Sequence, residues 1–187
     1  MNNLGTVRLE TKRLILRRFV PEDAKSMYEN WASDAEVTKY LTWKAHDSVH
    51  VSEKYLESVI SGYASPDQYE WGIELKSDET LVGTIAAVQL KKDLGIVHVG
   101  YCLGRKWWHN GIMSEAFAEV IRFFIEDVGA VRVESRHDPR NVYSGKVMEK
   151  CGLRYEGTLR RSDRNNQGIC DAAWYGLLKD DYLGRAK

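Results

Sequence analysis

The chain has 187 residues, with 27 Lys plus Arg balanced by 27 Asp plus Glu. That length supports one hydrophobic core without help from disulfides or metal. The absence of a basic excess argues against a dedicated nucleic-acid binder, which needs cations to neutralise phosphates.

The three cysteines, Cys102, Cys151 and Cys170, lack C-x-x-C spacing and sit in apolar stretches. They read as buried thiols of a reducing compartment, with no zinc site or disulfide framework. No apolar run approaches the roughly 18 residues of a membrane span, and none follows Met1-Asn2-Asn3-Leu4-Gly5. A soluble cytoplasmic protein is therefore expected. Only three prolines occur, with no repeat and no low-complexity block. One unit over residues 1–187 is the economical division.

Leu14-Ile15-Leu16 predicts a short first strand. Pro21-Glu22-Asp23 suits a first helical turn, because proline there forfeits no hydrogen bond, and Ala24, Met27, Tyr28 and Trp31 follow at helical spacing. A second helix is expected from about Val49 to Ile60, stopped by Gly62. From Tyr69 the period becomes two. Tyr69, Trp71, Ile73 and Leu75 share one face, a polar turn follows, and an apolar run extends from Leu81 to Leu90. A third strand puts Val97, Val99, Tyr101 and Leu103 on one side and His98, Gly100 and Cys102 on the other.

The strongest helix follows Gly111, with Phe117, Val120, Ile121, Phe124, Ile125 and Val128 forming one stripe; Ser114 is expected to cap it and Gly129 to end it. Then come a strand around Val131–Ser135, a short helix capped by Asn141 and ending at Gly152, and strands near Leu153–Leu159 and Cys170–Leu178. The order predicts a mixed α+β domain on one mostly antiparallel sheet of about six or seven strands with about four helices.

The run Leu103-Gly104-Arg105-Lys106-Trp107-Trp108-His109-Asn110-Gly111-Ile112-Met113-Ser114 joins a central strand directly to the strongest helix. The first turn of a helix offers unpaired N–H groups and a partial positive charge, and Gly111 allows close approach, so this joint suits an anion such as pyrophosphate. An ordinary β–α turn packed by Trp107 and Trp108 is the plainer alternative. About 30 residues further on lies Asn141-Val142-Tyr143-Ser144-Gly145-Lys146-Val147-Met148-Glu149-Lys150-Cys151-Gly152-Leu153.

The pairing of W-W-x-x-G-I-M-S-E-A with N-x-x-S-x-x-V-M-E-K-x-G-L resembles the GNAT superfamily of N-acetyltransferases, and within it the branch that acetylates ribosomal-protein N-termini. The likeness runs from Thr11 to about Tyr182. It implies a GNAT fold whose sheet splits beside the strand Val97–Leu103, with acetyl-CoA as acetyl donor and no metal. It further implies that pyrophosphate rests on amides of His109, Asn110, Gly111, Ile112 and Met113, with Ser114 at the helix start and Asn141 and Ser144 nearby. The usual Q/R-x-x-G-x-G/A pattern is altered: Lys106 stands at the Q/R position and His109 replaces the first glycine.

By the same resemblance the acetyl carbonyl accepts a backbone N–H where the strand bulges near Cys102 or Leu103. Ser144 serves as proton donor to the departing thiolate, because the tyrosine common one turn later is Met148 here. Tyr143 is the nearest competitor, and a serine merely bonding the helix start is the plainer alternative.

The resemblance also implies Asp163 as the base, with a loop carboxylate paired to neighbouring arginines as the alternative and Glu74 as another candidate. Tyr40, Leu41 and Trp43, followed by His46, fall where the family builds one wall of the acceptor groove. Tyr40, Trp43, Trp71 and Glu74 are the acceptor-binding candidates. His98, His109 and His137 have no ligand-like spacing and predict no metal. The expected reaction is acetyl transfer to a primary amine, most simply a protein α-amino group, by a monomer or homodimer without membrane or nucleic-acid partners. A small-molecule amine acceptor and a non-catalytic acyl-CoA-binding module are the other readings.

Overall fold

The computed structural model describes residues 1–185, so the last two residues of the expected 1–187 unit lie outside the described residues. The strands are β1 (Leu9–Glu10), β2 (Leu14–Arg17), β3 (Glu70–Leu75), β4 (Leu81–Lys91), β5 (Ile96–Leu103), β6 (Arg132–His137), β7 (Arg154–Asn165) and β8 (Gly168–Leu178). The helices are α1 (Asp23–Met27), α2 (Ala35–Thr38), α3 (Val49–Gly62), α4 (Ile112–Arg122), α5 (Val142–Lys150) and α6 (Lys179–Arg185). Strand order in the one sheet is β1-β2-β3-β4-β5-β6-β8-β7. Every neighbouring pair is antiparallel except β5 with β6. This is the expected mixed α+β architecture, with eight strands and six helices among the described residues instead of about six or seven and about four. The extra elements are β1, of two residues, and the short α2 and α6. None is long enough to print a hydrophobic period.

Each sheet face has its own core. Trp71, Ile73, Val97, Val99, Phe117, Val120, Phe124 and Val133 share one cluster, in which α4 lays its stripe across the alternating strand positions. Burying a side chain such as Phe117, which is 0% exposed, contributes about 1.5–3 kcal/mol. The opposite face is covered by α1 and α3 through Phe19, Met27, Trp31, Leu56 and Val59, with Leu81 and Cys102 pointing up from the sheet.

Two helices differ from expectation. Helix α1 begins at Asp23, after a turn in which Asp23 and Ala24 N–H donate to the carbonyls of Val20 and Pro21. Both α1 and α4 run on into wider π-type turns, Tyr28–Ala32 and Phe123–Val128; the second ends at Gly129, whose φ of +81° suits glycine.

The feature that shapes the site is the divergence of β5 from β6. Their register covers only Ile96–His98 against Arg132–Glu134, although both strands continue past it. At the fork the buried Ser135 hydroxyl donates to the Val99 carbonyl at 2.7 Å. A side chain thus satisfies the first acceptor that the backbone ladder abandons.

Candidate acetyl-CoA site

The fork opens into a cleft of about 370 Å³ walled by β5, the loop into α4, and α5. Strand alternation aims Val99, Tyr101 and Leu103 backbone groups into it, because the Val99 carbonyl faces the fork. Leu103 carbonyl is taken by the Trp108 indole at 2.7 Å. The N–H and carbonyl of Tyr101 therefore face the cleft in the middle of the wall. The expected bulge at Cys102 or Leu103 is absent. The β4–β5 ladder is regular from Gly83↔Leu103 to Ala87↔Val99, and the irregularity falls on β4 at Val88. Divergence of whole strands, not a local bulge, exposes the backbone here.

At the outer end of the cleft, α4 begins immediately after Gly111, and the first amide donating to this turn is Glu115 N–H to Gly111 carbonyl. The amides before it have no intrahelical acceptor. Gly111 has φ +73°, and a Cβ there would lie 3.6 Å from both Arg13 Nη2 and Lys150 Nζ. The glycine thus leaves a cradle lined by amides and two cations, which fits a pyrophosphate. Glu115 steers Arg13, accepting its Nε–H at 2.7 Å, while Asn110 carbonyl accepts from Arg13 Nη1 at 3.1 Å. Lys146 and Lys150 form no ion pair among the described residues.

His109, standing where the family has glycine, also adopts positive φ, +63°. The loop keeps the glycine conformation at a cost of about 1–2 kcal/mol, and the imidazole packs edge-on to Tyr143 at 4.6 Å between centroids.

Ser114 is buried in the first turn and makes no side-chain cap; the cap position is Gly111. Ser114 carbonyl instead accepts from the Cys151 thiol, tying α4 to α5. Asn141 likewise precedes α5 without a side-chain cap bond, though it lines the cleft. Ile112 and Met113 line it as well, whereas Lys106 lies with its ammonium 5.3 Å from the Trp107 ring centre, away from the wall.

At the inner end, Ser144 Oγ lies 3.0 Å from Tyr101 Oη, and that phenol donates to Ser144 carbonyl at 2.9 Å. Burial raises the Tyr101 phenol above its ordinary value, with the Ser144 bond opposing. Met148, at the usual tyrosine position, is 1% exposed and points into the core. Tyr143 is 59% exposed and sits toward the phosphate end, near Lys146. Tyr101 was missed by the sequence reading, which counted it only as a core residue of its strand; nothing in a single β-strand tyrosine signals a partner 43 positions away.

The acceptor candidates separate. Trp71 is 0% exposed, stacked edge-on to Phe123 and Phe124, so it belongs to the core under α4 and not to a groove. Glu74 accepts from Arg17 at 2.5 Å, in a cluster with Asp23, and is committed to that ion pair. Asp163 accepts from Arg136 at 2.6 Å. Burial alone would raise its carboxyl, but the Arg136 and Arg164 N–H bonds and the Arg136 charge outweigh that and hold it below the ordinary aspartate range. A carboxylate so held is a weak proton acceptor.

Tyr40 and Trp43 lie outside the lining of the cleft, in the loop after α2. Tyr40 lies 5.9 Å below the Arg140 guanidinium, and Trp43 packs on His46 at 5.3 Å. Their loop is fastened to the β7–β8 turn: Asn166 Nδ2 donates to Thr38 and Trp43 carbonyls at 2.8 and 2.6 Å, and Asn166 N–H to Leu41 carbonyl at 3.1 Å.

A forked sheet with amides, cations and a hydroxyl along its opening is the geometry of an acyl-CoA-binding acyltransferase. Residues 13–154 match the model of the acetyltransferase (GNAT) domain, and the chain belongs to that family. It is similar to the uncharacterized N-acetyltransferase p20 of Bacillus licheniformis, 28% identical over 94% of this chain and 98% of the relative. Its fold is shared with the ribosomal-protein-S5-alanine acetyltransferase of Vibrio fischeri (TM-score 0.81, 19% identity, 94% of this chain and 98% of that one). It is shared equally with the microcin C7 self immunity acetyltransferase MccE in complex with acetyl-CoA and AMP (TM-score 0.81, 19% identity, 90% and 93% covered). The chain is an N-acetyltransferase that uses acetyl-CoA. Among the described residues there is no group of three His, Cys, Asp or Glu able to hold a metal ion, and no helix long and apolar enough to cross a membrane.

Proposed function

We propose that the chain acetylates the α-amino group of a protein N-terminus. The observation that carries this reading is the Asn166 fastening. It ties the Tyr40–Trp43 loop to the β7–β8 turn, and an acceptor passing beneath that bridge would enter end-on, as a chain terminus does. The relative from Vibrio fischeri, described as a ribosomal-protein-S5-alanine acetyltransferase, supports the same acceptor class.

In this reading the amides of Gly111, Ile112 and Met113, with Arg13 and Lys150, hold the donor's pyrophosphate, and His109 and Asn110 shape the loop. The Tyr101 N–H lies where it can polarise the acetyl carbonyl. The neutral amine attacks the carbonyl carbon, the C–S bond breaks and Ser144, bonded to Tyr101, gives its proton to the thiolate; the proton shed by the nitrogen restores the serine through solvent.

The test is a panel of peptides with free Ala, Ser, Met and Gly termini, the same peptides N-blocked, and spermidine and glucosamine, scored for acetyl incorporation by mass. Transfer to free termini and not to blocked ones supports the reading. Transfer to spermidine or glucosamine with none to peptides overturns it in favour of a small-molecule acceptor.

A further inference from the structure

Helix α5 carries Tyr143, Lys146 and Lys150 at i, i+3 and i+7, one stripe whose three side chains all line the cleft. Lys146 and Lys150 are exposed, and neither enters an ion pair among the described residues. Ammonium groups four residues apart on a helix repel each other and weaken it. The one carboxylate of α5, Glu149, accepts the Tyr175 hydroxyl at 3.4 Å and relieves neither lysine. Two like charges kept without a counterion at the mouth of a cleft are completed by an anionic ligand.

The two lysines are placed differently. Lys150 Nζ lies 3.6 Å from where a Cβ would stand on Gly111, beside Arg13, so it serves the amide cradle. Lys146 folds back over the preceding turn, and its Nζ sits 5.2 Å from the centre of the Tyr143 ring. Tyr143 is held in turn by His109, at 4.6 Å between ring centres. Lys150 therefore stands on the Gly111 side of the loop and Lys146 on the His109 side, with their backbones roughly 6 Å apart along the helix axis.

This stack gives a reason for a residue that the loop by itself does not explain. His109 holds a left-handed φ of +63° where the family carries glycine. Backbone strain of that kind persists where function uses it. What His109 touches is Tyr143, and what Tyr143 seats is Lys146. At 59% exposed, Tyr143 fills no core.

We infer that Lys146, seated on Tyr143, binds the 3′-phosphate of coenzyme A and makes the enzyme prefer acetyl-CoA to acetyl-dephospho-CoA. This rests on placing the donor's pyrophosphate in the Gly111 cradle. The nucleotide of coenzyme A bears two separate anionic groups, a pyrophosphate on the ribose 5′ oxygen and a phosphate monoester on the 3′ oxygen of the same ribose. The chain offers two separate cationic groups, Arg13 with Lys150 for the first and Lys146 for the second. A monoester open to solvent is met as a point charge, which suits an ammonium. The ring beneath restricts that ammonium without neutralising it. Pantetheine and thioester are common to both donors, so the preference lies in binding and not in the chemical step.

Calorimetric titration with CoA and with dephospho-CoA tests the assignment in the wild type and in four variants. The wild type is expected to bind CoA about tenfold more tightly than dephospho-CoA, by a ratio that shrinks as salt rises. Lys146→Ala should bring CoA down to the affinity of dephospho-CoA and leave dephospho-CoA unchanged. Lys150→Ala should weaken both ligands by the same factor, because both carry the pyrophosphate. Tyr143→Leu should lose most of the preference and Tyr143→Phe should keep it, since the ring and not the hydroxyl seats the ammonium. In turnover, Lys146→Ala should raise KM for acetyl-CoA while kcat, and KM for acetyl-dephospho-CoA, stay as they are.

A wild type that binds the two ligands equally overturns the inference. So does a Lys146→Ala variant that weakens both ligands alike, which would return Lys146 to the pyrophosphate. If Lys146→Ala abolishes the preference while Lys150→Ala and Gly111→Val leave CoA affinity unchanged, the 3′-phosphate assignment stands and the placement of pyrophosphate at Gly111 fails.

Discussion

Tyr101 and Ser144, from a strand and a helix on opposite walls of the fork, meet through two contacts: phenol to serine carbonyl at 2.9 Å and oxygen to oxygen at 3.0 Å. Either hydroxyl can donate in the second contact, so Tyr101 holds the serine hydroxyl at the cleft wall. Ser144→Ala should lower kcat by about 10²-fold or more with little change in acetyl-CoA affinity. Tyr101→Phe should lower kcat by less, because it leaves the serine hydroxyl in place but unoriented. Tyr143→Phe is the control, and its exposed ring near Lys146 predicts near-normal kcat. Steady-state kinetics with acetyl-CoA held saturating checks all three. Loss of kcat in Tyr143→Phe alone would transfer the proton donor to that residue.

The cradle at Gly111 makes a prediction about binding without chemistry. Gly111→Val adds bulk where Arg13 and Lys150 converge, and imposes a β-branched residue on positive φ. CoA affinity should fall about tenfold or more. Lys150→Ala should weaken CoA by a smaller factor that shrinks as salt rises, since it removes only a charge partly open to solvent. His109→Gly relieves the left-handed histidine and should leave CoA affinity within about threefold while raising thermal stability. Calorimetric titration of CoA with each variant reads these directly; equal affinity in a folded Gly111→Val would remove the loop from the site.

Asp138 gives the acid side of the stability profile. Its carboxylate accepts from Arg140 N–H and side chain and from Asn165. Burial alone would raise the group, but these donors hold it at about 2, below the ordinary 3.8. A depressed carboxyl stabilises the fold fully above the unfolded value and loses that stabilisation as pH falls through the folded one. Asp138 should thus contribute roughly 2 kcal/mol at neutral pH, disappearing between about pH 4 and pH 2. Asp138→Asn should lower stability at pH 7 by that order and flatten the loss below pH 4, as followed by urea denaturation at a series of pH values.

What the sequence discloses depends on the range of the interaction. The α4 stripe, the β3 and β5 alternation and the β5–loop–α4 joint are local patterns, so their elements were legible within a residue or two. Trp71 was misjudged because alternation tells that residues share a face but not which layer covers it; α4 covers that face. Ser114 was misjudged as a cap because the left-handed Gly111 takes the cap position of α4, whereas Asn141 does hold the cap position of α5, without a side-chain bond. The arginines that engage Asp163 and Glu74 were not legible, because Arg136 and Arg17 come from strands 27 and 57 positions away and not from the sequence neighbours. Tyr101 with Ser144 is likewise a pair that exists only after the sheet has assembled.

The cysteines carry a further consequence. Burial pushes Cys102 and Cys151 up to about 12, and Cys170 is raised as well. At pH 8 only about one in 10⁴ of a thiol titrating near 12 is thiolate. Disulfide-exchange dyes and haloacetamides should therefore pass over the folded enzyme and react with liberated coenzyme, giving a colorimetric turnover record with almost no protein background. Since Cys102 also lines the cleft, the slow labelling that remains becomes a clock for spontaneous opening of the fork, running slower whenever the cleft is filled.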